Sequence, residues 1–121
     1  MNFSIETGDK HHIVNCKTEN LNSSVSPELK AELVLLSKKN VKNIVFNLDD
    51  TKYCDSSGLS AILLANRLCR DAKGTFVLTG VNEQIQKLIE ISQLDRVLHI
   101  TPTLSEAVDY VFMEEMERNI S

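Results

Sequence analysis

Apolar residues along this chain change their spacing from element to element, and the changes mark out the fold. Phe3-Ser4-Ile5 alternates, Gly8-Asp9-Lys10 supplies turn chemistry, and His12-Ile13-Val14-Asn15-Cys16 follows. This spacing predicts a β-hairpin or two neighbouring short strands. A polar stretch from Glu19 to Ser24 reads as loop. Ser26-Pro27-Glu28 then opens a helix with a hydroxyl cap, a proline in the first turn and an acid at the positive end. Leu29, Leu33 and Leu36 give that helix one face, widened by Val34 and Leu35, and Lys38-Lys39-Asn40 closes it. Ile44-Val45-Phe46-Asn47-Leu48 is apolar almost throughout, as a strand covered on both faces would be.

A second helix is expected from Gly58 to about Ala72, nearly all apolar over its first half and stopped at Lys73-Gly74. Thr75 to Thr79 reads as a strand. Asn82 caps a helix with Ile85, Leu88 and Ile89 buried, Gln93 to Arg96 connects, and Val97 to Ile100 forms an edge strand. Pro102 breaks the chain before the capping box Thr103-Leu104-Ser105-Glu106 and a last helix carrying Leu104, Ala107, Val108, Val111 and Phe112. Residues 114–121 are acidic and polar and are expected to fray. The order is β-β-α-β-α-β-α-β-α. It predicts an α/β fold with a mixed, largely parallel sheet of four to five strands and about four helices. At 121 residues, without repeat or linker, the chain reads as a single domain, 1–121.

The densest chemistry lies where the strand ending at Leu48 passes through a polar loop into the second helix. That loop ends in Asp55-Ser56-Ser57-Gly58. Two hydroxyls stand at a helix N-terminus, where backbone N–H groups are unpaired and a partial positive charge is exposed. One serine as a helix cap, with Gly58 easing the turn, accounts for the four residues taken alone. Taken alone the four residues favour that capping reading, because capping serines are commonplace; Ser57 or Ser56 as a phosphoacceptor is the functional alternative. A phosphate there adds about −1.5 to −2 charges beside Asp55 and the helix dipole.

Composition narrows the function classes. With 17 acids against 13 bases the formal charge is −4, which argues against nucleic acid or an anionic membrane as partner. The longest uninterrupted apolar run, Ala61 to Ala65, is five residues, far below the ~20 needed to span a bilayer. No signal-peptide pattern opens the chain, and Cys16, Cys54 and Cys69 form no CxxC, so reduced thiols and a cytoplasmic location are expected. No catalytic residues, metal or cofactor are expected. Gly-x-Ser-x-Gly and a Gly-rich phosphate loop are absent, and Asp49, Asp50 and Asp55 read as caps and solvated acids. His11 and His12, adjacent at the hairpin turn, point to opposite sides and read as solvated.

The strand, loop, DSSG and apolar helix, followed by Gly80-Val81-Asn82 and Leu88-Ile89-Glu90-Ile91-Ser92-Gln93-Leu94-Asp95, resemble the STAS domain of bacterial anti-sigma factor antagonists over nearly the whole chain. The resemblance implies a STAS fold and a non-enzymatic, partner-switching regulator. In that family the second serine of DSSG is phosphorylated by a serine kinase that is also the anti-sigma factor. The unphosphorylated form binds this kinase and frees the sigma factor, and a serine phosphatase resets the switch. The resemblance therefore implies Ser57 as the phosphosite ahead of Ser56, framed by Asp55 and Gly58. STAS domains also serve as subunits of lipid-transport ABC complexes and of stress-signalling assemblies, which is the alternative. Where family members often carry Gly-Glu-Leu-Asp, this chain has Glu19-Asn20-Leu21-Asn22. Asn20, Leu21 and Asn22 are expected to face the partner, with two negative charges removed from beside the phosphosite. Such a change bears on which partner is chosen.

Overall fold

The structure, a computed structural model, describes residues 2–120. Strands β1 (Phe3–Thr7) and β2 (His12–Cys16) form the expected antiparallel hairpin. A two-residue strand, β3 (Asn20–Leu21), precedes helix α1 (Ser26–Lys38). Next come β4 (Ile44–Asn47), the short β5 (Tyr53–Cys54) and α2 (Ser56–Asp71). β6 (Phe76–Thr79), α3 (Glu83–Ile91), a 3-10 turn over Leu94–Arg96, β7 (His99–Thr101) and α4 (Leu104–Ile120) complete the described chain. The main sheet has five strands in the order β1-β2-β4-β6-β7, parallel except for β1.

β4 lies at the centre of this sheet, as its nearly continuous apolar character predicts. Ile44, Phe46 and Leu48 enter the larger core beneath α1, α2 and α3, with Leu33, Ile62 and Ile89 from the helices. Val45 points the other way and meets Ile13, Val77, Ala107 and Val111 beneath α4. Period-two alternation on a strand buried on both sides therefore feeds two cores.

The details depart from the sequence pattern in several places. Glu19 to Ser24 is not all loop, because β3 pairs in parallel with β5 as a separate two-stranded sheet. Val34 and Leu35 do not widen the buried face of α1; they are 40% and 51% exposed. Ser26 is not a cap. Val25 occupies the N-cap position of α1 and makes no side-chain cap bond.

α4 is helical through the acidic stretch expected to fray, as far as Ile120; Ser121 lies outside the described residues. Glu115 explains the continuation. It is buried, accepts from Asn43 Nδ2 at 2.8 Å, and pairs with Arg118 at 3.1 Å and Lys42 at 3.4 Å. Burial opposes its charge, but Asn43 and Arg118 outweigh that and hold its carboxyl below the usual range. The stretch is polar in composition and still packed, because Glu115 and Arg118 both find Asn43, 72 and 75 residues earlier in the chain.

Candidate functional site

The site stands at the carboxyl ends of β4 and β6, where an open parallel sheet delivers its loops to one edge. The Leu48 N–H donates to the Thr79 carbonyl, tying the two exits together. The loop after β4 is then clipped onto the segment before α1. Thr51, buried at 2% exposure, donates its hydroxyl to the Thr18 carbonyl at 2.9 Å. The Lys52 and Tyr53 N–H groups both reach the Glu19 carbonyl at 2.9 Å, and the Asp55 N–H reaches Leu21 at 3.2 Å. These bonds make the β3-β5 sheet and fix the direction in which the chain enters α2.

Neither serine caps α2. Asp55, in extended conformation, is the N-cap, and its Oδ1 accepts from the Ser57 N–H at 3.0 Å and the Gly58 N–H at 3.1 Å. The same oxygen also accepts the Ser57 hydroxyl at 2.6 Å. That hydroxyl bond, followed by the Gly58 N–H, lowers the Asp55 carboxyl below its ordinary pKa. Asp55 and Ser56 are exposed and Ser57 is half-buried. Beside them burial pushes the Cys54 thiol up to about 12, with the Asp55 charge adding to it.

Gly58 is needed for a different reason than a tight turn. It is already helical, and a Cβ there would stand 2.5 Å from the Leu21 carbonyl and 2.7 Å from Cys54 Sγ. The absence of a side chain lets β3 cross directly over the first turn of α2. Leu21, fully buried, belongs to the core beneath that crossing rather than to an open surface. Asn20 is exposed, while Asn22 is partly buried and occupied locally. Its Oδ1 accepts from the Ser24 N–H at 3.0 Å, and its carbonyl accepts from the Ser26 N–H at 2.8 Å.

The distant Gly80-Val81-Asn82 segment reaches the same edge. Gly80 has φ +73°, and a Cβ on it would lie 2.7 Å from the Asp49 nitrogen. Asn82 caps α3 through Oδ1 to the Ile85 N–H at 2.9 Å, and donates from Nδ2 to the Lys52 carbonyl at 2.9 Å. The segment therefore braces the loop that carries the serines.

One residue of the site is not legible from its sequence position. Ser26 is 3% exposed, donates its hydroxyl to the Asn22 carbonyl at 2.7 Å, and lies 3.3 Å, oxygen to oxygen, from Ser57. In sequence it looks like a cap for α1, and the 31 positions between the two serines hide the contact. Among the described residues no group of three or more His, Cys, Asp or Glu is placed to hold a metal ion. No described helix is long and apolar enough to cross a membrane.

Comparison with known proteins agrees with this fold. A family model described as "STAS domain" matches residues 2–107. The chain is 32% identical over 73 residues to an anti-sigma factor antagonist homologue from Thermotoga neapolitana, covering 60% of this chain and 65% of that one. It is 29% identical over 102 residues to the anti-sigma-B factor antagonist of Staphylococcus aureus, covering 83% of this chain and 94% of that one. The Bacillus cell fate determinant SpoIIAA, solved in its phosphorylated form, superposes with a TM-score of 0.71 at 21% identity over 90% of this chain and 98% of that one.

Proposed function

The chain belongs to the STAS domain family, and on that premise we propose that it is an anti-sigma factor antagonist switched at Ser57. In the unphosphorylated form it binds a serine kinase that doubles as anti-sigma factor, and so releases the sigma factor. Phosphorylation of Ser57 by that kinase ends the binding, and a serine phosphatase restores it. The general role draws on the names of the relatives, one of which is matched over 94% of its length.

The observation that carries the choice of residue is the Ser57 hydroxyl, bonded to Asp55 at 2.6 Å on the first turn of α2. The hydroxyl stands at a rigid helix start, held from below by the buried Leu59 and Ile62. A phosphate on it adds about −1.5 to −2 charges, next to a carboxyl whose pKa is held below its ordinary value. The fold tolerates this at a helix N-terminus. A partner surface shaped for a neutral hydroxyl beside one carboxylate does not, since an unpaired charge at an interface is costly to desolvate. Modification thus changes recognition while leaving the domain folded. Asp55, Ser56, Gly58 and the exposed Asn20 flank the contact, with Leu21 and Asn22 supporting it from below.

The test is binding. Ser57→Ala should retain a tight complex with a serine-kinase anti-sigma factor recovered from the same cell, and Ser57→Asp should weaken it at least tenfold. Phosphoserine should appear at position 57 by mass spectrometry after incubation with kinase and ATP. Equal binding by wild type and Ser57→Asp, with no phosphoserine, overturns the reading. So does recovery of an ABC ATPase in place of a kinase.

A further inference from the structure

We propose that Ser26 is the hydroxyl that receives the phosphate of Ser57 and relays its presence to the Asn20–Ser24 segment. This rests on Ser57 as the phosphoacceptor. Three contacts join four oxygens here. Ser26 donates to the Asn22 carbonyl at 2.7 Å, Ser57 donates to Asp55 Oδ1 at 2.6 Å, and the two hydroxyl oxygens approach to 3.3 Å. Each hydroxyl has one proton, so two protons serve three contacts. The two short bonds hold both protons, and the Ser26–Ser57 approach is left as the weak member.

Phosphorylation changes that count. The Ser57 hydroxyl proton is lost, and three strong acceptor oxygens arrive on the phosphorus bonded to the Ser57 oxygen. Asp55 loses its hydroxyl donor and remains a carboxylate, which repels the new charge. It is itself occupied by the Ser57 and Gly58 N–H groups. Ser26 is the neutral donor already at hand, and its position is fixed because the side chain is buried in the first turn of α1. Rotation about one bond turns its proton from the Asn22 carbonyl to a phosphoryl oxygen, and a charge-assisted hydrogen bond is stronger than the neutral one it replaces.

The Asn22 carbonyl does not lose everything. It keeps the Val25 N–H at 3.0 Å and the Ser26 N–H at 2.8 Å, so α1 stays in place. What loosens is the tie from the buried hydroxyl to the turn that Asn22 organises with Ser24. That turn continues from β3, whose Leu21 carbonyl binds the Asp55 N–H at 3.2 Å. A charge placed on α2 is thereby felt on the neighbouring strip of the proposed partner face.

Phosphoserine incorporated at position 57 during translation makes the test independent of any kinase. The second ionisation of the phosphate is followed by phosphorus NMR in three proteins: otherwise wild type, Ser26→Ala and Ser26→Thr. Donation from Ser26 to the dianion lowers its pKa, so Ser26→Ala should raise the midpoint by roughly half a pH unit. Ser26→Thr, which keeps a hydroxyl, should restore it. On the wild-type background alone, the Asn22 carbonyl carbon resonance should move when Ser57 carries phosphate, and Ser26→Ala should abolish that movement. An unchanged midpoint in Ser26→Ala, or an Asn22 carbonyl indifferent to phosphate, overturns the proposal. Because the phosphate is installed synthetically, failure to find a natural kinase overturns the functional reading and leaves these spectra to be judged separately.

Discussion

Ser57 and Asp55 share one hydrogen-bonding oxygen in two ways: Asp55 Oδ1 accepts both the backbone N–H of Ser57 at 3.0 Å and its hydroxyl at 2.6 Å. The cap of α2 and the hydroxyl proposed for modification are therefore a single structural unit. Whatever removes the hydroxyl proton also removes a donor from the helix cap.

Replacing Asp55 separates capping from charge. Asp55→Ala should lower stability by about 1 kcal/mol in urea denaturation, the usual cost of a lost N-cap. Asp55→Asn retains an acceptor and should lose less.

The same carboxyl contributes to the pH dependence of stability. Its folded pKa is below the unfolded value, chiefly through the Ser57 hydroxyl and then the Gly58 N–H. The contribution is therefore complete above the unfolded pKa of about 4 and disappears as pH falls through the lower folded value. Wild type and Asp55→Asn should accordingly converge in stability between pH 5 and 2, as measured by thermal unfolding. A constant difference across that range contradicts the assignment.

Gly58→Ala sets helix propensity against packing. Alanine favours an internal helix position by about 1 kcal/mol over glycine. The added Cβ meets a backbone carbonyl, that of Leu21, which cannot rotate away. Overpacking of about 1–3 kcal/mol should win, giving a net loss of stability together with shifted amide resonances in β3.

Asn43 holds the last helix to the sheet. Its side chain donates to the Lys10 carbonyl and Glu115 and accepts from the Thr75 N–H and Arg118, all within 3.2 Å. Asn43→Ala takes a donor from the buried Glu115 carboxylate and an acceptor from Arg118, and leaves the Thr75 N–H with the Lys42 carbonyl alone. We expect a loss of about 3 kcal/mol by chemical denaturation. Removal of residues 114–121 should also destabilise measurably, which a frayed tail would not do.

The three thiols should be inert in the native protein. Burial pushes Cys54 and Cys69 up to about 12 and raises Cys16 as well. At pH 8 a thiol of pKa about 12 is a thiolate in about one molecule in ten thousand. Iodoacetamide should modify the cysteines at this pH only once the chain is unfolded in denaturant.

Several features of the molecule were legible because they depend on near neighbours in the chain. The nearly continuous apolar run Ile44 to Leu48 announced a central strand, and Asn82 and Thr103 announced helix starts, since strand burial and capping act over a few residues. Val34 and Leu35 misled because hydrophobicity alone does not say on which side a core lies. The polar end of α4 misled because Glu115 finds Asn43 far away in sequence. At the proposed phosphosite, Asp55-Ser56-Ser57-Gly58 located the candidate, but the pattern could not distribute its roles.

By itself, then, the sequence determined the order of the main-sheet strands and the four helices, their β-α alternation and the position of the serines, all of which follow from local periodicity and backbone chemistry; the short β3 and β5 it did not show. Only the tertiary structure decided that Asp55 rather than a serine is the cap. It also decided that Gly58 serves the crossing of β3, and that Ser26 lies against Ser57. Those roles depend on distances between segments tens of residues apart, and such distances exist only after the sheet has brought α1, β3 and α2 together.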